Sequence, residues 1–179
     1  MRLDGYGLFV KDMASMIRFY RDVLGFEIKE SEDTENVYLV KDGTLFLLYG
    51  RNDFETLTSK KYEYLKGVNA HSEMALYVDT YDEVDEQYQH AIENGATSLL
   101  EPTTEPWGQR TCFIADPEGN IIEIGSWNKP YEEMTVEELQ AEILAKMAAN
   151  GPVTDRMKQD VTDNVYRDSL LNWVRSFNR

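Results

Sequence analysis

The chain is short of the residues that most often carry chemistry. Its 179 residues include one cysteine and two histidines. A lone thiol excludes an internal disulfide framework and a thiolate metal cluster. Set in Thr111-Cys112-Phe113-Ile114, Cys112 reads as a small buried hydrophobe. Basic residues are scarce as well, 18 Lys and Arg against 33 Asp and Glu, for a net charge of −15. A surface of that sign repels phosphate backbones and anionic lipid, so neither nucleic acid nor a membrane is an expected partner. No apolar run is long enough to cross a bilayer, and Met1-Arg2-Leu3-Asp4 leads straight into a strand pattern without a secretory leader. A soluble, cytoplasmic protein is expected. Missing too are a P-loop, a dinucleotide fingerprint, a nucleophile elbow and an H-E-x-x-H string. Hydrophobic residues at 42% and aromatics at 12% nevertheless suffice to bury a core.

In place of such motifs the chain has repetition. Gly5-Tyr6-Gly7-Leu8-Phe9-Val10-Lys11-Asp12 is echoed about 68 residues later by Glu73-Met74-Ala75-Leu76-Tyr77-Val78-Asp79-Thr80. Leu8 maps to Leu76, Val10 to Val78, Tyr20 to Tyr88 and Leu24 to Ile92. A second echo sets Lys41-Asp42-Gly43 against Asp116-Pro117-Glu118-Gly119, and Thr44–Leu48 against Asn120–Ile124. Two copies of one supersecondary unit pack as a pseudo-symmetric pair, which directs attention to the cleft between them.

Each copy reads as βαβββ. In the first, Asp12 caps a helix to Leu24 with Met13, Met16, Ile17, Tyr20 and Val23 on its apolar stripe, and Gly25 stops it. Strands are expected at Phe26–Glu30, Val37–Val40 and Leu45–Tyr49. In the second copy Thr80 and Glu83 form a capping box, and strands are expected near Ser98–Leu100, Arg110–Ala115 and Asn120–Ser126. The two modules, 1–50 and 71–128, are joined by a polar connector, 51–70, with a helical stretch around Leu57–Leu65. Beyond Trp127, residues 129–179 read as a helical extension. One helix starts at the capping box Thr135–Glu138 and ends at Asn150-Gly151-Pro152, and a second runs from about Thr154 to Phe177 with Val161, Val165 and Leu171 on its apolar face.

These modules, with Phe19-Tyr20 before Leu24-Gly25-Phe26 and Asp116-Pro117-Glu118-Gly119-Asn120 before Ile122-Glu123, resemble the vicinal oxygen chelate superfamily of glyoxalases, bleomycin-resistance proteins and dioxygenases. The resemblance covers about 1–128. It implies an α+β fold in which two βαβββ modules form a cupped mixed sheet, here followed by the helical extension. The loop Glu105-Pro106-Trp107-Gly108-Gln109-Arg110 resembles one common in the bleomycin-resistance-like branch.

Metal-dependent members hold a divalent ion on four side chains from the first and last strand of each module. Carried over by the repeat, those places are Gly5, Leu47, Glu73 and Glu123. Glu73 and Glu123 offer oxygen; Gly5 and Leu47 offer no side-chain donor. The resemblance therefore implies either no resident cofactor or a weakly bound divalent metal on Glu73 and Glu123, with His71, two residues before Glu73, as an added donor. His90 falls on a helix. Without a metal, the two carboxylates are read three ways: as a general acid or base, as a grip for a cationic ligand, or as groups bonded to backbone or to Arg110. Trp107 offers a stacking wall, Arg110 a partner for a ligand carboxylate, and Tyr49, Leu47 and Tyr77 line the same faces. The leading expectation is a small-molecule binding protein that sequesters its ligand and acts as a homodimer. The alternative is a metal-dependent lyase, isomerase or dioxygenase with a non-standard ligand set. A third is an interaction module whose tail recruits another protein.

Overall fold

A computed structural model describes residues 4–177. Met1, Arg2 and Leu3, read from the sequence as the approach to the first strand, lie outside the described residues. The chain divides into two compact units, Met1–Trp127 and Asn128–Arg179.

In the first unit the order is β1 (Gly5–Val10), α1 (Met13–Arg18), β2 (Asn36–Lys41), β3 (Thr44–Gly50), α2 (Arg51–Thr58), β4 (Asn69–Tyr77), α3 (Tyr81–Glu93), β5 (Thr97–Thr104), β6 (Arg110–Ala115) and β7 (Asn120–Ser126). Two mixed sheets result, ordered β1-β3-β2 and β4-β7-β6-β5. The repeat is visible in the pairing. Leu8 lies beside Leu48 in the parallel pair β1–β3, as Leu76 lies beside Ile124 in the parallel pair β4–β7. This is the α+β architecture that the resemblance implied, with one strand fewer in the first module among the described residues.

That strand was expected at Phe26–Glu30. Phe26 and Ile28 are buried in strand-like alternation, but the Ile28 N–H turns back to the Phe26 carbonyl at 2.7 Å, and Lys29 N–H bonds the Glu30 carboxylate. The segment fills the core without joining the ladder of β2. Ahead of it, α1 is prolonged by a π-helical turn at Phe19–Val23, and Asp12 caps it by accepting the Ser15 N–H.

Each sheet has one face against a helix, and these faces share a single core. Leu8, Val10, Val37, Phe46 and Leu48 meet Met16, Ile17 and Tyr20 of the first module and Val84, Ala91, Cys112, Ile114, Ile122 and Ile124 of the second. Burial of each large side chain is worth about 1.5–3 kcal/mol, so this shared core dominates the unit's stability. It also isolates Cys112, whose thiol burial pushes up to about 12. The native protein should accordingly leave a disulfide reagent such as Ellman's unconsumed at pH 8, and one thiol per chain should react once urea unfolds it; fast native labelling would contradict the packing.

The connector differs from the expectation of a helix near Leu57–Leu65. Helix α2 starts at once after β3 and ends at Thr58, because Ser59 takes a left-handed conformation (φ 53°). The chain then returns over the open face of the first sheet, with Phe54 4.4 Å from Phe9 and Tyr62 5.2 Å from Phe54, ring centre to ring centre. Before β4 it passes so close to Gly119 that a Cβ there would lie 2.1 Å from the Gly67 carbonyl oxygen. Glycine is required at that crossing.

In the second unit, α4 (Val136–Asn150) begins at the expected capping box of Thr135 and Glu138. The expected last helix is two, α5 (Asp155–Thr162) and α6 (Arg167–Ser176). Asn164 breaks it, accepting the Tyr166 N–H and donating to Ser169, while Gln140 donates to the Thr162 and Asn164 carbonyls freed by the break. Val165, placed on the apolar stripe from the sequence, is therefore exposed. Leu139, Ile143, Val161, Leu170, Leu171 and Val174 form the unit's own core. No helix among the described residues is long and apolar enough to cross a membrane.

Candidate functional site

On the face of the second sheet turned away from α3, alternation along β6 and β7 brings Thr111, Phe113, Ile121 and Glu123 together, with Phe113 directly beside Glu123. Thr111 is almost fully buried and donates to Glu123 Oε1 at 2.8 Å. Gln109, in phase with Thr111 just before β6, donates its Nε2–H to the same oxygen at 3.0 Å. Its amide oxygen in turn accepts the Trp107 indole N–H at 3.2 Å. Gly125 makes room for this amide, since a Cβ there would come within 2.7 Å of Gln109 Nε2. The Glu123 carboxylate is thus oriented by neutral donors on one oxygen. Its second oxygen accepts no hydrogen bond from the described residues.

Arg110 is not its counter-ion. The guanidinium grips Asp85 of α3 through Nε and Nη2 at 2.7–3.0 Å and donates to Thr104. Residues 110 and 111 point to opposite faces of a strand, so once Thr111 faces Glu123, Arg110 must face the helix. The sequence reading that paired Arg110 with Glu123 is corrected on that ground.

Glu73 lies diagonally across from Glu123 on the same face, because Glu73 pairs with Ile121 and Ala75 with Glu123. It is exposed, makes no ion pair among the described residues, and fronts a cavity of about 320 Å³ shared with Tyr6, Lys41 and Leu45 at the seam between the modules. His71 is also exposed, and the ladder slips between Asn69 and Glu73, so no paired residue holds His71 on the face of Glu73. Leu47 sits between Gly7 and Tyr38, and Gly5 lies beside Leu45. Among the described residues no three His, Cys, Asp or Glu side chains gather to hold a metal ion. Of the four places compared by the repeat, Gly5 and Leu47 carry no side-chain donor. This donor set does not fit a resident divalent metal.

The remaining residues selected from sequence fall in two places. Tyr77, at the end of β4, and Trp107, in a tight turn closed by the Gly108 N–H to the Glu105 carbonyl, are both exposed. Tyr49 belongs instead to the aromatic cluster under the connector, edge-on to Phe9, Tyr38 and Phe54. Burial, and then the nearby Asp53 carboxylate, hold its hydroxyl above the usual tyrosine range, so it stays protonated. The structure therefore brings Trp107, Glu123 and Glu73 to one face and leaves Leu47 and Tyr49 on the other sheet. A recess of about 750 Å³ contains none of these residues, and its Arg51 and Glu118 are spent on each other. Gln109 and Thr111 escaped the sequence reading, although period-2 alternation through Gln109, Thr111 and Phe113 placed them in phase.

Comparison with known proteins is consistent with this architecture. Residues 2–124 match the model of the Glyoxalase/Bleomycin resistance protein/Dioxygenase superfamily. Among solved structures, a glyoxalase/bleomycin resistance protein/dioxygenase family enzyme from Burkholderia phytofirmans PsJN superposes with a TM-score of 0.62 at 23% identity, over 72% of this chain and 100% of that one. A glyoxalase-related enzyme from Fulvimarina pelagi gives 0.61 at 18% identity, covering 70% and 88%. Lactoylglutathione lyase from Agrobacterium tumefaciens gives 0.54 at 21%, covering 70% and 92%. At such identities the likeness concerns the fold. A search of curated proteins found no match. The fold, the repeat and the family match agree, and the chain belongs to the Glyoxalase/Bleomycin resistance protein/Dioxygenase superfamily.

Proposed function

We propose that the protein is a small-molecule binder of the bleomycin-resistance type, sequestering its ligand without a resident metal. The observation that carries this reading is the state of Glu123. It is fixed by the neutral donors of Gln109 and Thr111, it has no cationic partner among the described residues, and it stands in a set whose Gly5 and Leu47 supply no donors. An oriented, unneutralised carboxylate beside apolar and aromatic surface suits a ligand with a positive charge and an apolar body. Glu73, diagonal to it, adds a second negative charge on that face.

Homodimerisation belongs to the same proposal. Tyr38 and Val40 on β2 are 51% and 70% exposed, apolar surface that a second copy would cover. A cytoplasmic setting agrees with a single, buried cysteine. Thermal-shift measurements on the full chain with a panel of aromatic amines, aromatic acids and neutral aromatics test the ligand reading. Stabilisation of several degrees by cationic members, abolished in Glu123→Gln, is expected, and no shift with any compound would contradict it. Light scattering should give twice the 20.7 kDa chain mass.

A further inference from the structure

We infer that Gln109 joins Trp107 and Glu123 into one recognition element for a planar, delocalised cation of the guanidinium or amidinium class. The inference rests on the ligand reading above. Gln109 has its amide polarity set at both ends: its oxygen takes the Trp107 N–H and its nitrogen gives to Glu123 Oε1. A flipped amide would oppose donor to donor at the indole and acceptor to acceptor at the carboxylate. Glycine at 125 leaves room for the amide nitrogen in this position, which a Cβ there would approach to 2.7 Å.

Two consequences follow for a ligand. With Gln109 and Thr111 both on Oε1, the open hydrogen-bonding capacity of Glu123 is concentrated on Oε2. One amide and two hydrogen bonds away is the Trp107 indole, 62% exposed, so its ring is available beside an unneutralised carboxylate. A flat cation satisfies both at once, giving an in-plane N–H to Oε2 and its π face to the indole. An alkylammonium is a compact, strongly hydrated charge that stacks poorly, and a neutral aromatic amide lacks the charge. Discrimination thus depends on the indole and the carboxylate being held at a fixed separation, which is what Gln109 does. It is a positioning residue.

The test is calorimetric titration of the full chain with three probes of similar size: benzamidine, cyclohexylmethylamine and benzamide, all near pH 7. Benzamidinium should bind at least about tenfold more tightly than either comparison compound, and Glu123→Gln and Trp107→Ala should each cost about tenfold or more. Gln109→Leu and the near-isosteric Gln109→Met should each weaken benzamidinium binding by a larger factor than cyclohexylmethylammonium binding, so that the preference for benzamidinium is lost. Equal affinities for the three probes, or a parallel loss of all three in both Gln109 variants, would overturn the inference. If compounds of the broader panel stabilise the chain but benzamidinium has no advantage, the inference falls and the ligand reading stands. If no compound binds at all, both fall.

Discussion

Asp116→Ala is expected to destabilise the first unit by about 3–5 kcal/mol, enough to unfold it in mild urea. The side chain is almost fully buried and accepts four hydrogen bonds: from the Glu118 and Asn120 N–H groups at 2.9 Å each, from Asn120 Nδ2 at 2.8 Å and from the Tyr20 hydroxyl at 3.1 Å. Alanine would orphan all four donors, among them the hydroxyl of a fully buried tyrosine from the other module. A pH dependence follows with a definite sign. Burial is the largest influence on the Asp116 carboxyl and raises it above the ordinary value, against the opposing hydrogen bonds. A carboxyl whose folded pKa exceeds its unfolded one stabilises the fold most below the unfolded value, near 3.8, and loses that contribution as pH rises through the folded value. Asp116→Asn keeps an oxygen for the two backbone donors and carries no charge. Relative to the parent it should therefore gain stability as pH is raised from about 4 towards 7, read as converging urea midpoints. Midpoints that diverge over that range would refute the burial argument.

Glu118→Ala should cost about 2–4 kcal/mol, the second largest effect. Glu118 ties the loop before β7 to the first module, accepting the Lys11 and Asp12 N–H groups at 2.7 Å each on one oxygen and Arg51 at 2.5 Å on the other. Arg51 also donates to the Phe9 carbonyl and lies 4.5 Å from the Tyr64 ring, so the same carboxylate pins the connector. Amide exchange should therefore accelerate at Lys11 and Asp12 and across residues 51–66, with β5 and β6 unchanged. A double-mutant cycle with Arg51→Met should return a coupling of about 1–3 kcal/mol. Additive losses would show that the two side chains act separately.

The Asp-Pro-Glu-Gly loop shows what was legible in the sequence. Its place in the repeat identified the fold, and Leu8, Leu76, Leu48 and Ile124 pair as the two echoes required. That Asp116 and Glu118 bond across to Tyr20, Lys11 and Arg51 was hidden, because contacts between modules have no local period. Phe26–Glu30 failed as a strand for a related reason. Its alternation was correct, but pairing depends on the neighbouring ladder. At the site, period 2 was available for Gln109, Thr111 and Phe113, yet charge drew attention to Arg110, whose partner Asp85 sits on a helix far away in sequence. Hydrophobic patterning reports burial well; it says little about which polar groups meet.

The central claim is that this member of the superfamily presents Glu123 to a ligand and not to a resident metal. Elemental analysis of the full chain, purified without chelator and then equilibrated with equimolar Zn²⁺, Ni²⁺ or Mn²⁺ before desalting, tests it most directly. The account predicts well under one retained metal per chain, with no difference between the parent and Glu123→Gln. One tightly held metal per chain, lost in Glu123→Gln or Glu73→Gln, would contradict it.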